Sequence, residues 1–168
     1  MALVLRRTAL FVVIVLMWAL FAAAVAHAAP RDIVSFAGYA PGTIVVKTNE
    51  RRLYFVIDPY RALRFPVGVG KSGKRWTGVA RVEGKYIRPA WQAPPDLGGG
   101  PVIPGGAPNN PMGEAALTLR NGEYAIHGTN RPQSIGGFVS NGCIRMHNRD
   151  IRELYQLVQV GTPVIVQQ

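Results

Sequence analysis

Residues 116–128 read Ala-Leu-Thr-Leu-Arg-Asn-Gly-Glu-Tyr-Ala-Ile-His-Gly, and this stretch decides the fold. Ala116 to Leu119 and Tyr124 to His127 are short apolar runs. Asn121-Gly122 between them is a strong hairpin signal, because both residues tolerate the left-handed backbone of a tight two-residue turn. Working back toward the N-terminus, the same grammar repeats. Thr43 to Lys47 is β-branched and ends in the turn residues Thr48-Asn49-Glu50-Arg51. Arg52 to Ile57 reads as its hairpin partner and stops at Asp58-Pro59. A third strand runs from about Leu63 to Val69, and Val79 to Val82 and Tyr86-Ile87 read as further short strands.

Working forward, a Gly-rich stretch from Gly128 to Gly142 leads into the short extended segment Ile144-Arg145-Met146. One helix is legible. Asn148 suits its cap and Asp150 its first-turn dipole. Ile151, Leu154, Tyr155 and Val158 fall at i, i+3, i+4, i+7 and give one apolar face. Gly161 and Pro163 end it, and Val164-Ile165-Val166 closes the chain as a strand. The pattern predicts a mostly-β domain, sandwich-like or barrel-like, with one α-helix near the C-terminus. Residues 89–113 stand apart. Seven prolines fall there, with Gly98-Gly99-Gly100 and Gly105-Gly106, a density that opposes regular structure. A loop of that length is functional or disordered. Its Trp91 is expected to pin it to the core.

Composition sets the outer bounds. The 168 residues are 48% hydrophobic and 17% charged, enough apolar material for one packed domain and too much for a disordered chain. A single cysteine excludes an intrachain disulfide and any paired-thiol metal or redox motif. The net charge is +10. No Lys/Arg run exceeds two residues and no aromatic-interleaved basic stripe appears, which argues against a nucleic-acid partner.

The first residues have the form of an export signal. Arg6-Arg7 precede an uncharged run from Thr8 to Val25, and Ala26-His27-Ala28 supplies a small-x-small cleavage pattern. The expected organisation is a leader over 1–28, a loose lead-in over 29–42 and a folded domain over 43–168. If the leader is kept, it is the one membrane contact; either way the domain is exported to the periplasm or cell wall. Cleavage removes two basic residues from the +10. In that compartment the remaining excess points to anionic cell-surface material.

The candidate chemistry is sparse. After cleavage two imidazoles remain, His127 and His147, beside the lone thiol Cys143 in Ser140-Asn141-Gly142-Cys143-Ile144-Arg145-Met146. A free thiol in an oxidising compartment is buried or used. Gly142 permits the tight turn that would present both the Cys143 thiol and its N–H. A thiol needs a neighbouring base to attack as thiolate, and both histidines are candidates. A zinc site from His127, Cys143 and His147 lacks a fourth ligand and the usual close pairing, so no metal or other cofactor is expected.

The segments Ile126-His127-Gly128-Thr129-Asn130 and Ser140-Asn141-Gly142-Cys143-Ile144-Arg145-Met146 together resemble the signature of the L,D-transpeptidase (YkuD-type) catalytic domain. That signature is a His, a gap of about fifteen residues, then Ser-His-Gly-Cys. Asn110-Pro111-Met112-Gly113 and Gly161-Thr162-Pro163-Val164 resemble two further family segments, and the likeness spans residues 43–166. One position departs: Asn141 stands where the family has a histidine. The resemblance implies a peptidoglycan enzyme whose partners are stem peptides, with carbapenem-type β-lactams as inhibitors. It implies Cys143 as nucleophile, His127 as general base and acid, and the Gly128 carbonyl as the group orienting His127. Gly142 and Cys143 N–H groups would bind the oxyanion. Ser140, Asn141 and Arg145 would contact substrate, with a structural ion pair as the alternative for Arg145. The acyl acceptor is open: a second stem, a protein amine or water. Papain-type and NlpC/P60-type peptidases place their cysteine before their histidine, which disfavours them. A decayed, non-catalytic wall-binding module is the remaining alternative, with Asn141 as its best support.

Overall fold

The computed structural model describes residues 32–119 and 123–168; the expected leader and the Asn121-Gly122 turn lie outside the described residues. Strands β1 (Ile33–Ser35), β2 (Ile44–Lys47), β3 (Arg52–Asp58), β4 (Arg61–Pro66), β5 (Val69–Gly70) and β6 (Gly78–Ile87) precede the long loop. Then come β7 (Ala115–Leu119), β8 (Tyr124–His127), β9 (Phe138–Ser140), β10 (Ile144–Arg145), helix α1 (Asn148–Leu157) and β11 (Pro163–Gln167). Nine strands form one mixed sheet in the order β1-β4-β3-β2-β11-β6-β7-β8-β10, while β5 and β9 pair separately. Among the described residues the mostly-β expectation with one late α-helix holds.

Alternation explains the layers. Ile44 and Val46 of β2, Leu53 of β3, and Leu63 and Phe65 of β4 face one core. Val82 of β6, Leu117 and Leu119 of β7, and Ile126 of β8 enter the same core, so the sheet curls around a single interior. Helix α1 plugs that interior with Ile151 and Leu154, both fully buried. Val158 follows just past its last turn.

Val45, Tyr54, Val56 and Ala62 point to the opposite face yet are also buried. Their cover is the segment expected to be a loose lead-in. Val34, Phe36 and Tyr39 pack over them, and the Phe36 ring stacks on Tyr54 at 4.3 Å and on Tyr39 at 5.2 Å. The β1 strand within that segment pairs antiparallel with β4. Three residues are too few to show a period, so only the aromatics could have signalled it.

Other expectations are corrected too. The third strand is split into β4 and β5. The two short strands after it are one ten-residue β6, whose register shifts between Val82 and Gly84. A bulge breaks alternation, so the run read as two pieces. Asn148 does not cap α1: the N-cap position is His147, and no side chain bonds there. Trp91 is not pinned to the core. Its main chain bridges Ile103 in both directions, at 2.9 and 2.7 Å, closing the neck of the proline-rich loop.

Asn110 holds the rest of that loop. It is 2% exposed; its Nδ2 donates to the carbonyls of Pro89 (2.9 Å), Pro104 (3.0 Å) and Ile103 (3.3 Å), and its Oδ1 accepts from Met112 N–H (2.9 Å). Prolines leave carbonyls without matching N–H groups, and one buried amide satisfies several of them.

Candidate active site

The site forms where β8 and β10 lie side by side. They pair in parallel, with Ile144 opposite Ile126 and Arg145 opposite His127. Side chains alternate along a strand, so the Ile126 and Ile144 side chains enter the core. Cys143, Arg145 and His127 therefore share the other face. All three line a cleft of about 710 Å³. The sixteen-residue separation between thiol and imidazole is thus closed by strand register, not by local spacing. His147, the other candidate base, sits at the helix start and is not among the residues lining the cleft.

His127 is 5% exposed, and burial is the main reason its pKa is lowered to about 4; the Arg145 charge adds to this. The carbonyls of Gly128 and Pro111 oppose the shift by favouring the protonated ring. Neither completes an aligned bond, since Nδ1 is buried without a partner. Cys143 is half-buried. Burial raises its thiol pKa, while the Ala125 main-chain amide and Arg145 work the other way. Among the described residues no hydrogen bond joins Cys143 to His127. Burial thus disfavours the charged form of both groups.

The turn before Cys143 is built by three groups. The Ser140 hydroxyl donates to the Cys143 carbonyl at 2.6 Å and accepts the Gly142 N–H at 3.1 Å. Trp76 Nε1 donates to the Gly142 carbonyl at 3.1 Å, and the Trp76 ring stacks on Tyr124 at 4.9 Å. Gly142 has φ +127, and a Cβ there would lie 2.5 Å from the Tyr124 ring, so this position takes glycine for both backbone and space. Ser140, expected to touch substrate, is 3% exposed and has its hydroxyl committed to the turn. The Gly142 N–H, expected as an oxyanion donor, is committed to Ser140. Asn141 is exposed on the cleft rim.

Arg145 is half-buried, and burial together with neighbouring Arg131 works against its charge. Among the described residues no carboxylate pairs with it, so the structural ion pair is not formed. The two arginines line a side lobe of about 300 Å³ with Asn109 and Asn130. Trp91, Leu97, Pro111 and Arg145 belong to both lobe and cleft. No three His, Cys, Asp or Glu side chains cluster for a metal among the described residues. No helix among them is long and apolar enough to cross a membrane.

Sequence reasoning missed Trp76, Tyr124, Pro111 and Asn148. The Asn148 amide enters between two loops: Oδ1 accepts from Thr129 N–H (3.0 Å) and Glu114 N–H (3.2 Å), and Nδ2 donates to the Thr129 carbonyl (3.0 Å).

A thiol and a buried imidazole on one sheet face, in a cleft where Arg145 meets no carboxylate among the described residues, are the groups a cysteine-dependent acyl-transfer class requires. The family model for the L,D-transpeptidase catalytic domain, YkuD, matches residues 41–166, so the chain belongs to this family. It is 39% identical over 135 residues to Probable L,D-transpeptidase YbiS of Escherichia coli strain K12, aligning 72% of this chain with 43% of the relative. Probable L,D-transpeptidase ErfK/SrfK of the same strain is 39% identical over 134 residues, with 72% and 42% covered. The chain thus spans less than half the length of these curated relatives. A crystal structure of L,D-transpeptidase 3 from Mycobacterium tuberculosis in complex with a faropenem-derived adduct shares the fold. Its TM-score is 0.62 at 19% identity, covering 75% of this chain and 60% of the other.

Proposed function

We propose that this chain is an exported transpeptidase that acylates itself on a peptidoglycan stem peptide and passes the acyl group to an amine. Cys143 and His127 on one face of β8 and β10 are the observation that carries the reading. The Cys143 sulfur attacks the carbonyl that joins the L-centre of the third stem residue to the fourth, D-Ala. The S–C bond forms and the C–N bond breaks. His127 takes the thiol proton and delivers it to the departing D-Ala amine. The Cys143 N–H is the primary oxyanion donor, worth roughly 3 kcal/mol in comparable sites; Gly142 N–H joins it on releasing Ser140.

A thioester remains. An amine on a second stem attacks it and forms a C–N bond; His127 takes the proton that amine sheds and passes it to sulfur as the S–C bond breaks. The product is a 3→3 cross-link. Burial disfavours both charged forms, so the proton passes from Cys143 to His127 as sulfur attacks the carbonyl. Arg145, with Arg131 beside it, is placed to hold a stem carboxylate, which guanidinium groups match geometrically. Trp91, Pro94 and Leu97 wall the cleft from the proline-rich loop and limit competing water. The leader over 1–28 delivers the domain to the wall. Acylation of Cys143 by β-lactams follows from the same chemistry, and the faropenem adduct of the mycobacterial neighbour supports it.

Incubating purified protein with tetrapeptide muropeptides and resolving products by mass spectrometry tests this. Tetra-tri dimers with loss of D-Ala are expected. Tripeptide monomers alone would make water the acceptor, and unchanged tetrapeptide would overturn the reading.

A further inference from the structure

Asn148 is the first residue of α1, and α1 is rooted in the core by Ile151 and Leu154. Its amide therefore projects from a rigid base. The three hydrogen bonds it makes all go to main chain, at residues 19 and 34 positions away. Two of them seize Thr129 at both its N–H and its carbonyl. The third holds Glu114. Thr129 follows Gly128, whose carbonyl faces the His127 ring, and Glu114 closes the turn that begins at Pro111, whose carbonyl faces the same ring.

The glycines on either side corroborate the clamp. A Cβ at Gly113 or at Gly128 would each lie 2.2 Å from Asn148 Oδ1. Both loops thus leave out a side chain at the place where the amide passes. Gly128 needs no unusual φ, so space alone accounts for it there. His127 Nδ1 is buried and has no aligned partner. The acceptors that could take its proton are the Gly128 and Pro111 carbonyls, which lie in the two segments the clamp ties to α1, so small displacements of either segment decide which tautomer the ring adopts.

We propose that Asn148 is a positioning residue for His127: by fixing the segments 111–114 and 128–129 to α1, it sets the orientation and protonation of the imidazole. The inference rests on the reading of His127 as the base for Cys143. The effect reaches the reaction through His127, and Asn148 itself touches no reacting atom.

The test is Asn148→Ala with three measurements. Thermal unfolding checks that the variant folds cooperatively. NMR of ¹³C-labelled histidine follows the His127 titration without any substrate. Carbapenem acylation of Cys143 is timed by intact mass. The expected result is a folded variant whose His127 midpoint rises by at least one pH unit as the loosened loops admit water, with acylation at least tenfold slower. Asn148→Asp keeps the two acceptor contacts and loses the donated one, and should fall between the two; it serves if the alanine variant does not fold. A folded variant with unchanged His127 titration and unchanged acylation overturns the inference. Wild-type protein that titrates as expected but is never acylated would instead refute the transpeptidase reading and leave the clamp standing.

Discussion

The buried imidazole makes the stability of this domain depend on pH in a window that can be worked out. His127 has a pKa of about 4 in the folded chain against 6.5 for the unperturbed group. Below 6.5 the unfolded chain binds a proton that the folded one refuses until about pH 4. Stability is therefore fully present above 6.5, declines as pH falls to about 4, and loses nothing further from this group below that. At 1.36 kcal/mol per unit, the displacement is worth about 3 kcal/mol across the window. Carboxylates titrate in the same range, so the quantity to measure is a difference. Urea unfolding of wild type and His127→Gln at pH 7, 6, 5 and 4 isolates it. Wild type should lose about 3 kcal/mol more than the variant between pH 7 and pH 4. Parallel pH dependences, or an NMR midpoint for His127 near 6.5, would refute the claim that burial keeps this ring neutral.

Other outcomes follow from single contacts. Gly142→Ala forces a Cβ into the Tyr124 ring at an unfavourable φ and should cost about 2 kcal/mol or more in urea unfolding, with acylation of Cys143 lost. Asn110→Ala strands the Pro89 and Pro104 carbonyls and should lower stability by about 2 kcal/mol while raising protease cleavage within 89–113. Deleting residues 95–108 removes Leu97 from the cleft wall and should raise hydrolysis relative to transfer in the muropeptide assay; an unchanged ratio would assign the loop no part in excluding water. Arg131→Gln should raise KM for a tetrapeptide donor about tenfold with little change in kcat, whereas equal kinetics would remove Arg131 from substrate binding.

The parts of this molecule readable in its sequence are those whose cause is local. Ile151 and Leu154 announce α1 because their spacing is the helix period, and Thr43 to Lys47 and Arg52 to Ile57 announce a hairpin because apolar runs meet turn residues. Gly84 hid the continuity of β6, since a bulge interrupts the alternation. The Phe138–Ser140 strand was invisible within a Gly-rich stretch because it pairs with β5, some seventy residues earlier. Asparagines were the hardest residues to read. Asn148 looked like a helix cap because local chemistry allows one, yet its partners are distant main-chain groups. Cys143 and His127 stood out as chemistry, but their meeting was legible only through family resemblance. Its physical basis is the parallel register that sets Arg145 beside His127.

The central claim is that Cys143 is a nucleophile served by His127. Intact-mass spectrometry after exposure to a carbapenem measures it directly. One covalent adduct per wild-type chain is expected, none on Cys143→Ala, and formation at least a hundredfold slower on His127→Ala. An adduct that persists on Cys143→Ala, or forms on His127→Ala at the wild-type rate, would contradict it.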